Sequence, residues 1–272
     1  MGSQPLAAVR SSTLDGIVGG LDLPAAFRPI PLQSGFRARQ AARGLSALSA
    51  RAAGAGQHAR MAARDAPGPD RNLALAQYRA RAGIYDLELA LLEPMRRLAL
   101  QRLAPQRGET VIDMACGTGL SLAALAAAVG PHGRVIGIEQ SPEMIARARV
   151  TAARWRQVEL VEAPMERARL SGRADAALCH FTHDVLQRAD AVRNLLHHLR
   201  PGARIVCTGL AWAPRWAPAV NAAVLLGAWR STTTLEGLAR PWALLEAHIG
   251  PMASERYLFG GVYLAHGRVP RH

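Results

Sequence analysis

Two carboxylates and two glycines stand at a spacing that could hold a nucleotide. Asp113 lies near the end of an apolar run that begins at Val111, and a turn containing Gly117 and Gly119 follows. Glycine permits a tight turn and a close approach of backbone to ligand, because it has no Cβ. A second apolar run ends at Glu139, roughly 20 residues beyond the turn, where an acid can bind both hydroxyls of a ribose. The order strand, turn, helix, strand and acid predicts a nucleotide-type site.

The turn lacks the features of two common nucleotide sites. A dinucleotide-binding turn has a third glycine three residues after the second, and Leu122 stands at that position. A Walker-type phosphate loop needs a lysine, and all 33 basic residues of this chain are arginines. The sequence therefore disfavours NAD and excludes ATP or GTP chemistry of the Walker type.

These motifs resemble those of the class I S-adenosylmethionine-dependent methyltransferases. The first motif of that family, an acid, three residues and then G-x-G, matches Asp113, Gly117 and Gly119, and its second-strand acid matches Glu139. The family's apolar residue that packs on the adenine matches Met144. The resemblance implies S-adenosyl-L-methionine as the cofactor. It also implies cofactor contacts at Ala115, Thr118, Gln140 and Cys179.

The resemblance implies an α/β fold over roughly residues 74–267. The expected architecture is a Rossmann-like, seven-stranded, mostly parallel sheet with helices on both faces and an antiparallel last strand. The third, fourth and fifth strands are expected at residues 158–162, 174–180 and 199–207, and the closing pair within residues 255–265. In related small-molecule enzymes the segment before the first strand folds over the cofactor, so Tyr78 and Tyr85 are candidate contacts. Seven residues apart, they share one helical face, which core packing explains equally well.

The resemblance has one departure, at the residue that recognises the adenine amino group. Many family members carry an aspartate after the third strand, where this chain has Pro164. The backbone amide of Met165, or the carboxylate of Glu162 or Glu166, could take over this contact.

Candidates for acid and base chemistry follow the fourth strand, since open α/β sheets bind ligands at the carboxyl ends of their strands. His183 is the first choice for a general base, because imidazole titrates near neutrality, and Asp184 adjoins it. The alternative is that His183 or Asp184 caps a helical turn that begins near Val185.

The composition predicts one catalytic domain with an appendage. Residues 1–66 are rich in alanine and arginine, carry eight arginines against three acids, and are expected to be disordered and dispensable. A transit peptide is the alternative. Residues 67–272 are expected to form the domain, with residues 67–108 as an N-terminal helical lid and residues 210–254 as helices around the acceptor site. Four tryptophans in that last segment suggest an apolar or aromatic acceptor: Trp212, Trp216, Trp229 and Trp242.

The net charge of +13 and the isoelectric point of 11.3 raise the question of nucleic acid. Beyond residue 66 the chain has 25 arginines and 17 acids, and the arginines are scattered along the predicted helices. This favours a solvated basic surface over a nucleic-acid site. The three cysteines have no metal-ligand spacing and are expected to be buried thiols of a cytoplasmic protein. No apolar run reaches the roughly 18 residues of a membrane span. The sequence leaves open whether the protein forms a homodimer.

The sequence therefore predicts methyl transfer from S-adenosyl-L-methionine to an oxygen, nitrogen or carbon of a small, apolar or aromatic metabolite. The acceptor would belong to secondary metabolism or to quinone or lipid modification. Two alternatives remain open: a non-methylating enzyme on the same fold, and a cofactor-binding or scaffold protein without turnover.

Overall fold

The computed structural model describes residues 69–70, 72–75 and 92–271. Seven strands form one sheet in the order β3-β2-β1-β4-β5-β7-β6. Their bounds are β1 (Thr110–Met114), β2 (Arg134–Glu139), β3 (Val158–Glu162), β4 (Ala174–His180), β5 (Leu199–Leu210), β6 (Ala253–Tyr257) and β7 (Val262–Arg268). Strands β1 to β5 are parallel, and β7 runs antiparallel to both β5 and β6. This confirms the predicted Rossmann-like sheet with its antiparallel last strand.

Seven α-helices of the described residues connect these strands. Their bounds are α1 (Glu93–Leu103), α2 (Leu122–Val129), α3 (Pro142–Ala152), α4 (His183–Leu186), α5 (Ala189–His197), α6 (Pro218–Ser231) and α7 (Ala243–Ile249). Residues 72–75 form a further helical turn. Helix α3 begins where its sequence predicts, because Pro142 occupies the first turn and the Ser141 hydroxyl accepts a hydrogen bond from the Met144 amide at 3.3 Å.

The central strands are apolar on both sides because helices cover both faces of the sheet. Ile112 and Met114 of β1 point into one core, which helices α5 and α7 close. Val111 points into the other, which α1, α2 and α3 close. The two cores leave the carboxyl ends of the parallel strands as the place where polar side chains can gather.

Several sequence-based bounds need correction. Strand β5 continues to Leu210, three residues beyond its predicted end, because β7 pairs with it from Arg204 through Leu210. Helix α4 begins at His183 rather than near Val185. The leader at residues 1–66, as well as Tyr78 and Tyr85, lies outside the described residues.

Trp242 is not part of an open acceptor pocket. Its ring is buried in the core and packs against Tyr263 at a centroid distance of 4.9 Å, with the Arg256 guanidinium 5.6 Å from its centre. The expectation that this tryptophan faces an acceptor is therefore wrong.

Within the described residues, no helix combines the length and apolar character that a membrane crossing requires.

Candidate functional site

A crevice opens at the carboxyl ends of β1, β2 and β4. The strand order reverses between β1 and β4, and open α/β sheets bind their ligands at such a switch point. Two adjoining cavities, both open to solvent, meet there. Both are lined by Ala74, Ala115, Gln140, Asp184 and Val185. The structure thus brings residues that are distant in sequence to one site.

The glycine turn after β1 has the backbone geometry that its residue types predict. Gly117 and Gly119 have φ values of +57° and +85°, in the left-handed region that favours glycine. A Cβ on Gly119 would lie 2.7 Å from Leu122 Cδ1 and 3.3 Å from Ala148 Cα, so only glycine lets α2 and α3 pack this closely.

Glu139 is buried at the end of β2 and holds the turn through its carboxylate. Oε2 accepts a hydrogen bond from the Gly117 amide at 3.0 Å, and Oε1 accepts one from the Ser141 amide at 2.8 Å. Burial raises the pKa of this carboxyl, and the backbone bonds oppose that rise. Each oxygen keeps a second lone pair, so the carboxylate can still accept bonds from two ribose hydroxyls.

Asp113 is buried near Arg96, whose guanidinium is already paired with Glu93 through Nε and Nη2, both at 2.7 Å. Asp113 Oδ2 and Arg96 Nη1 are both buried without a hydrogen bond in this part of the chain. Burial raises the pKa of Asp113 to about 7, the positive charge of Arg96 lowers it, and Glu139 raises it. A ligand ammonium could donate to Asp113 Oδ2, and a ligand carboxylate could accept from Arg96 Nη1. The amino-acid end of S-adenosyl-L-methionine has this pair of groups, so the residues fit that cofactor.

The opposite end of the crevice contains the residues expected to meet an adenine. Met144 is buried and lines one cavity, whereas Pro164, Met165 and Glu166 line the other. Glu166 lies 3.3 Å from the guanidinium of Arg188, which is part of the same lining. The adenine contacts of these residues stay predictions.

Glu162 is a poor substitute for the missing adenine-binding acid. Its carboxylate is paired with Arg149 at 2.8 Å on the exposed edge formed by β3 and α3, and it is not part of either cavity lining. Asn194 instead fixes the chain at this place, because its amide donates to the carbonyls of Met165 at 2.6 Å and of Ala168 at 2.9 Å.

His183 and Asp184 bond to the segment before α7 rather than to the amides of their own helical turn. His183 Nε2 lies 2.9 Å from the Glu236 carbonyl, which can only accept, so Nε2 carries the proton. Nδ1 then has a free lone pair, and it is buried without a partner among the described residues. Asp184 accepts bonds from the amide and hydroxyl of Thr233, at 2.9 and 2.8 Å. Thr182 is the N-cap residue, and its side chain makes no capping bond, so the capping alternative is wrong.

Burial shifts both of these side chains toward their neutral forms. It lowers the pKa of His183, although the charge of Asp184 and the bond to Glu236 oppose this. It also raises the pKa of Asp184, against the hydrogen bonds from Thr233. A neutral imidazole with an unpaired nitrogen in the crevice wall is suited to accept a proton.

Two predicted cofactor residues lie behind the crevice. Cys179 is fully buried opposite Cys207, and the hydrogen bond between them together with burial raises its pKa far above the ordinary value. Thr118 is buried, and its carbonyl accepts a bond from Thr151 Oγ1 at 3.2 Å. Neither lines the two cavities, so their side-chain contacts with a cofactor stay untested predictions. Burial also raises the pKa of the half-buried Cys116.

Sequence reasoning missed two residues of this region, Phe181 and Arg96, whereas His180 was noted as following the fourth strand. Phe181 lines one of the two cavities with a φ of +55°, a left-handed conformation that nothing in its sequence signals. His180, beside it, bonds Thr208 Oγ1 at 2.6 Å, and burial lowers its pKa to about 3, so it ties β4 to β5 as a neutral ring. Arg96 was missed because its charge acts on Asp113 from a separate helix, α1. Among the described residues, no group of three side chains is suited to hold a metal ion.

The comparisons with known proteins agree with this geometry. Residues 111–202 match a methyltransferase domain family. A 23S rRNA (uracil-C5) methyltransferase of Acinetobacter baumannii is 45% identical over 62 residues, which are 23% of this chain and 13% of that protein. The demethylmenaquinone methyltransferase of Oceanobacillus iheyensis is 31% identical over 116 residues, which are 41% of this chain and 49% of that enzyme. The chain thus spans less than half the length of these relatives.

The fold has counterparts among solved structures. An O-methyltransferase family protein from Burkholderia thailandensis superimposes with a TM-score of 0.57 at 23% identity. The match covers 71% of this chain and 60% of that protein. At this identity the likeness concerns the architecture of the sheet and its helices.

Proposed function

We propose that this chain, which contains a class I S-adenosylmethionine-dependent methyltransferase domain, uses this cofactor as a methyl donor. The proposed acceptor is a small, apolar or aromatic molecule. The observation that carries the proposal is the polar lining of the crevice. Glu139 holds the glycine turn and keeps lone pairs for a ribose, while Asp113 Oδ2 and Arg96 Nη1 are buried atoms that keep hydrogen-bonding capacity for an amino-acid group, although Arg96 is also paired with Glu93.

Methyl transfer depends mainly on how the acceptor nucleophile is positioned relative to the methyl group. When bound, S-adenosyl-L-methionine supplies a methyl group that its sulfonium already activates. Alignment of a nucleophile with such a group can contribute on the order of 7–11 kcal/mol to the barrier reduction. In this proposal Glu139 fixes the ribose, Asp113 binds the ammonium, and Arg96 binds the carboxylate. Met144 packs against the adenine.

His183 is proposed as the general base for an acceptor that must lose a proton. Its Nδ1 lone pair is unpaired in the crevice wall, and its lowered pKa keeps the ring neutral near pH 7. Nε2 donates to the Glu236 carbonyl and so fixes both the tautomer and the ring orientation. Asp184 is proposed as a positioning residue, because its bonds with Thr233 attach α4 to the segment that carries Glu236.

The proposal of a small acceptor rather than a nucleic acid is supported by the ion pairs of the surface arginines. Many of them are paired with acids: Arg134 with Glu159, Arg149 with Glu162, Arg200 with Asp175, Arg204 with Glu109 and Arg240 with Glu246. Paired guanidinium groups are less available to phosphates. The walls near His183 include Ala74, Phe181 and Val185, which favour an apolar or aromatic group.

RNA is the second candidate acceptor, favoured by the arginine excess and by the similarity to the Acinetobacter enzyme. A non-methylating reaction and a role without turnover are the remaining alternatives. Localisation in the cytoplasm and a role in secondary metabolism stay proposals.

The first experiment measures ligand binding by calorimetry. We expect S-adenosylhomocysteine to bind more tightly than NAD, because the turn lacks the third glycine of a dinucleotide site. Tighter binding of NAD would reject the cofactor assignment. Incubation with methyl-labelled cofactor then follows, using a metabolite extract and total RNA in parallel, each with and without the protein. Label in RNA alone would overturn the small-molecule proposal, and binding without any transferred label would favour a role without turnover.

A further inference from the structure

Helix α6 carries an apolar stripe that faces away from the sheet. Ala222, Leu225, Leu226 and Trp229 follow one another at helical spacing, and Leu235 closes a cleft of about 460 Å³ beside them. The exposed fractions are 46% for Leu225, 56% for Leu226 and 73% for Trp229. These side chains are far more exposed than apolar residues of their size usually are.

The core does not account for this stripe. The opposite face of α6 supplies the packing, through the buried residues Val224 and Ala228. A helix that covers a sheet needs one apolar face, and the other is normally polar. Contiguous exposed apolar surface of this kind marks an interaction site.

The charges around α6 indicate which partner fits. The chain has no acidic residue between Asp190 and Glu236, and this stretch contains the exposed arginines Arg215 and Arg230 at the two ends of α6. No acid of the described residues lines the cleft, and on its other wall Thr233 donates to the Asp184 carboxylate and accepts from the Asp70 backbone amide. A second copy of α6 would bring arginines against arginines, whereas an anionic surface would complement them.

We propose that α6 docks on an anionic lipid surface, with its apolar stripe in the interfacial region and its arginines among the headgroups. Trp216 precedes the helix and is also exposed, so tryptophans stand near both ends of an element about 21 Å long. Tryptophan favours the boundary between headgroups and acyl chains. Exposed leucine and tryptophan with an arginine near each end are features that α6 shares with helices in that boundary, and the domain itself occupies its opposite face. This interface is independent of the proposed methyl transfer.

The test uses the full chain and vesicles of phosphatidylcholine with or without phosphatidylglycerol, separated by sedimentation. We expect binding to the anionic vesicles that weakens as the salt concentration rises. The double variant Leu226→Ser, Trp229→Ser should lower the partition coefficient by at least about tenfold, because two apolar side chains no longer leave water. The matched control is Val150→Ser on α3, a residue with 79% exposure outside the stripe, which should leave binding unchanged.

A second pair of variants isolates the charge. Arg215→Gln should lower binding to anionic vesicles about fivefold, as expected for one arginine near the surface. Arg154→Gln removes an equal charge from the exposed turn after α3 and should have little effect. Thermal unfolding of every variant verifies that the fold is kept.

Three results would overturn the proposal. The first is equal binding to both vesicle types, or none. The second is a monomer-to-dimer equilibrium that the double variant abolishes, which would assign the stripe to a second copy. The third is protection of Trp229 fluorescence from a water-soluble quencher in the free monomer, which would assign it to another segment of this chain. Each readout is independent of activity, so loss of methyl transfer alone would not bear on this surface.

Discussion

Gly119→Ala tests the glycine turn most directly, because a matched control exists elsewhere in the chain. Gly119 has φ +85°, and a Cβ there would lie 2.7 Å from Leu122 Cδ1 and 3.3 Å from Ala148 Cα. Gly108 has φ +81°, but its Cβ would meet no atom of the described residues within 4 Å. The two alanine variants therefore share the cost of a left-handed backbone, and only Gly119→Ala adds a steric conflict.

The magnitudes follow from these two contributions. A non-glycine residue in the left-handed region costs about 1–2 kcal/mol, and lower freedom of the unfolded chain offsets about 0.4–1 kcal/mol of that. Gly108→Ala should thus lower the free energy of unfolding by about 1 kcal/mol. At Gly119 the flexible end of Leu122 can move, but the backbone of Ala148 belongs to α3. Overpacking there adds about 1–3 kcal/mol, for a total of about 2–4 kcal/mol.

Urea unfolding followed by circular dichroism measures both variants under the same conditions. Calorimetry with S-adenosylhomocysteine then shows whether the turn has moved. We expect Gly119→Ala to lose affinity as well as stability, because α2 must shift relative to Gly117, whereas Gly108→Ala should keep its affinity. Equal destabilisation by the two substitutions, or full affinity in Gly119→Ala, would refute the close packing of turn and helices as the reason for this glycine.

Three further outcomes are expected from the polar residues of the crevice. Glu139→Ala should lower the affinity for S-adenosylhomocysteine at least about tenfold, since charge-assisted bonds contribute about 1.5–3 kcal/mol each. The substitution should also destabilise the fold, because the amides of Gly117 and Ser141 lose their acceptor. Unchanged affinity by calorimetry would place the ribose elsewhere. The pKa of Asp113 is raised from 3.8 to about 7 in the folded state, so its stability contribution is full below about pH 4 and is lost as the pH rises through 7. Asp113→Asn should flatten this slope in urea titrations of the cofactor-free protein, and an unaltered slope would contradict the buried protonated form. His183→Ala should lower single-turnover rates by about 10²–10⁴ without loss of cofactor affinity, and wild-type turnover should fall with acid below the ordinary imidazole pKa of 6.5, because burial lowers the pKa of this ring. His183→Gln keeps a donor for Glu236 but has no base, so a fully active variant would leave positioning as the catalytic device.

The sequence predicted those parts of the fold that local patterns encode. The bounds of β3 and β4 agree with the structure, because short runs rich in apolar residues are separated by turns there. The strand order could not come from periodicity and followed from the family resemblance. Gly117, Gly119 and Glu139 were found because a turn between two adjacent strands keeps its residues within one βαβ unit.

The rest of the site depends on contacts that no spacing reveals. Arg96 approaches Asp113 from α1, and His183 bonds the Glu236 carbonyl 53 residues further along the chain. Trp242 looked like a pocket residue, yet it is part of the core, because tryptophan serves both purposes and only packing separates them. Contacts between residues far apart in sequence depend on how the helices and loops pack against the sheet.

The bonds of Glu139 also have a kinetic consequence. Because its carboxylate holds the amides of Gly117 and Ser141, two contacts that shape the binding loop come from the protein itself and need no ligand. A ligand that binds to a preorganised loop costs little conformational entropy of the loop, and its binding needs no slow rearrangement of the chain. Association with this loop should therefore follow a single exponential whose rate rises linearly with ligand concentration. Differences in affinity among cofactor analogues should then lie in how fast each one leaves.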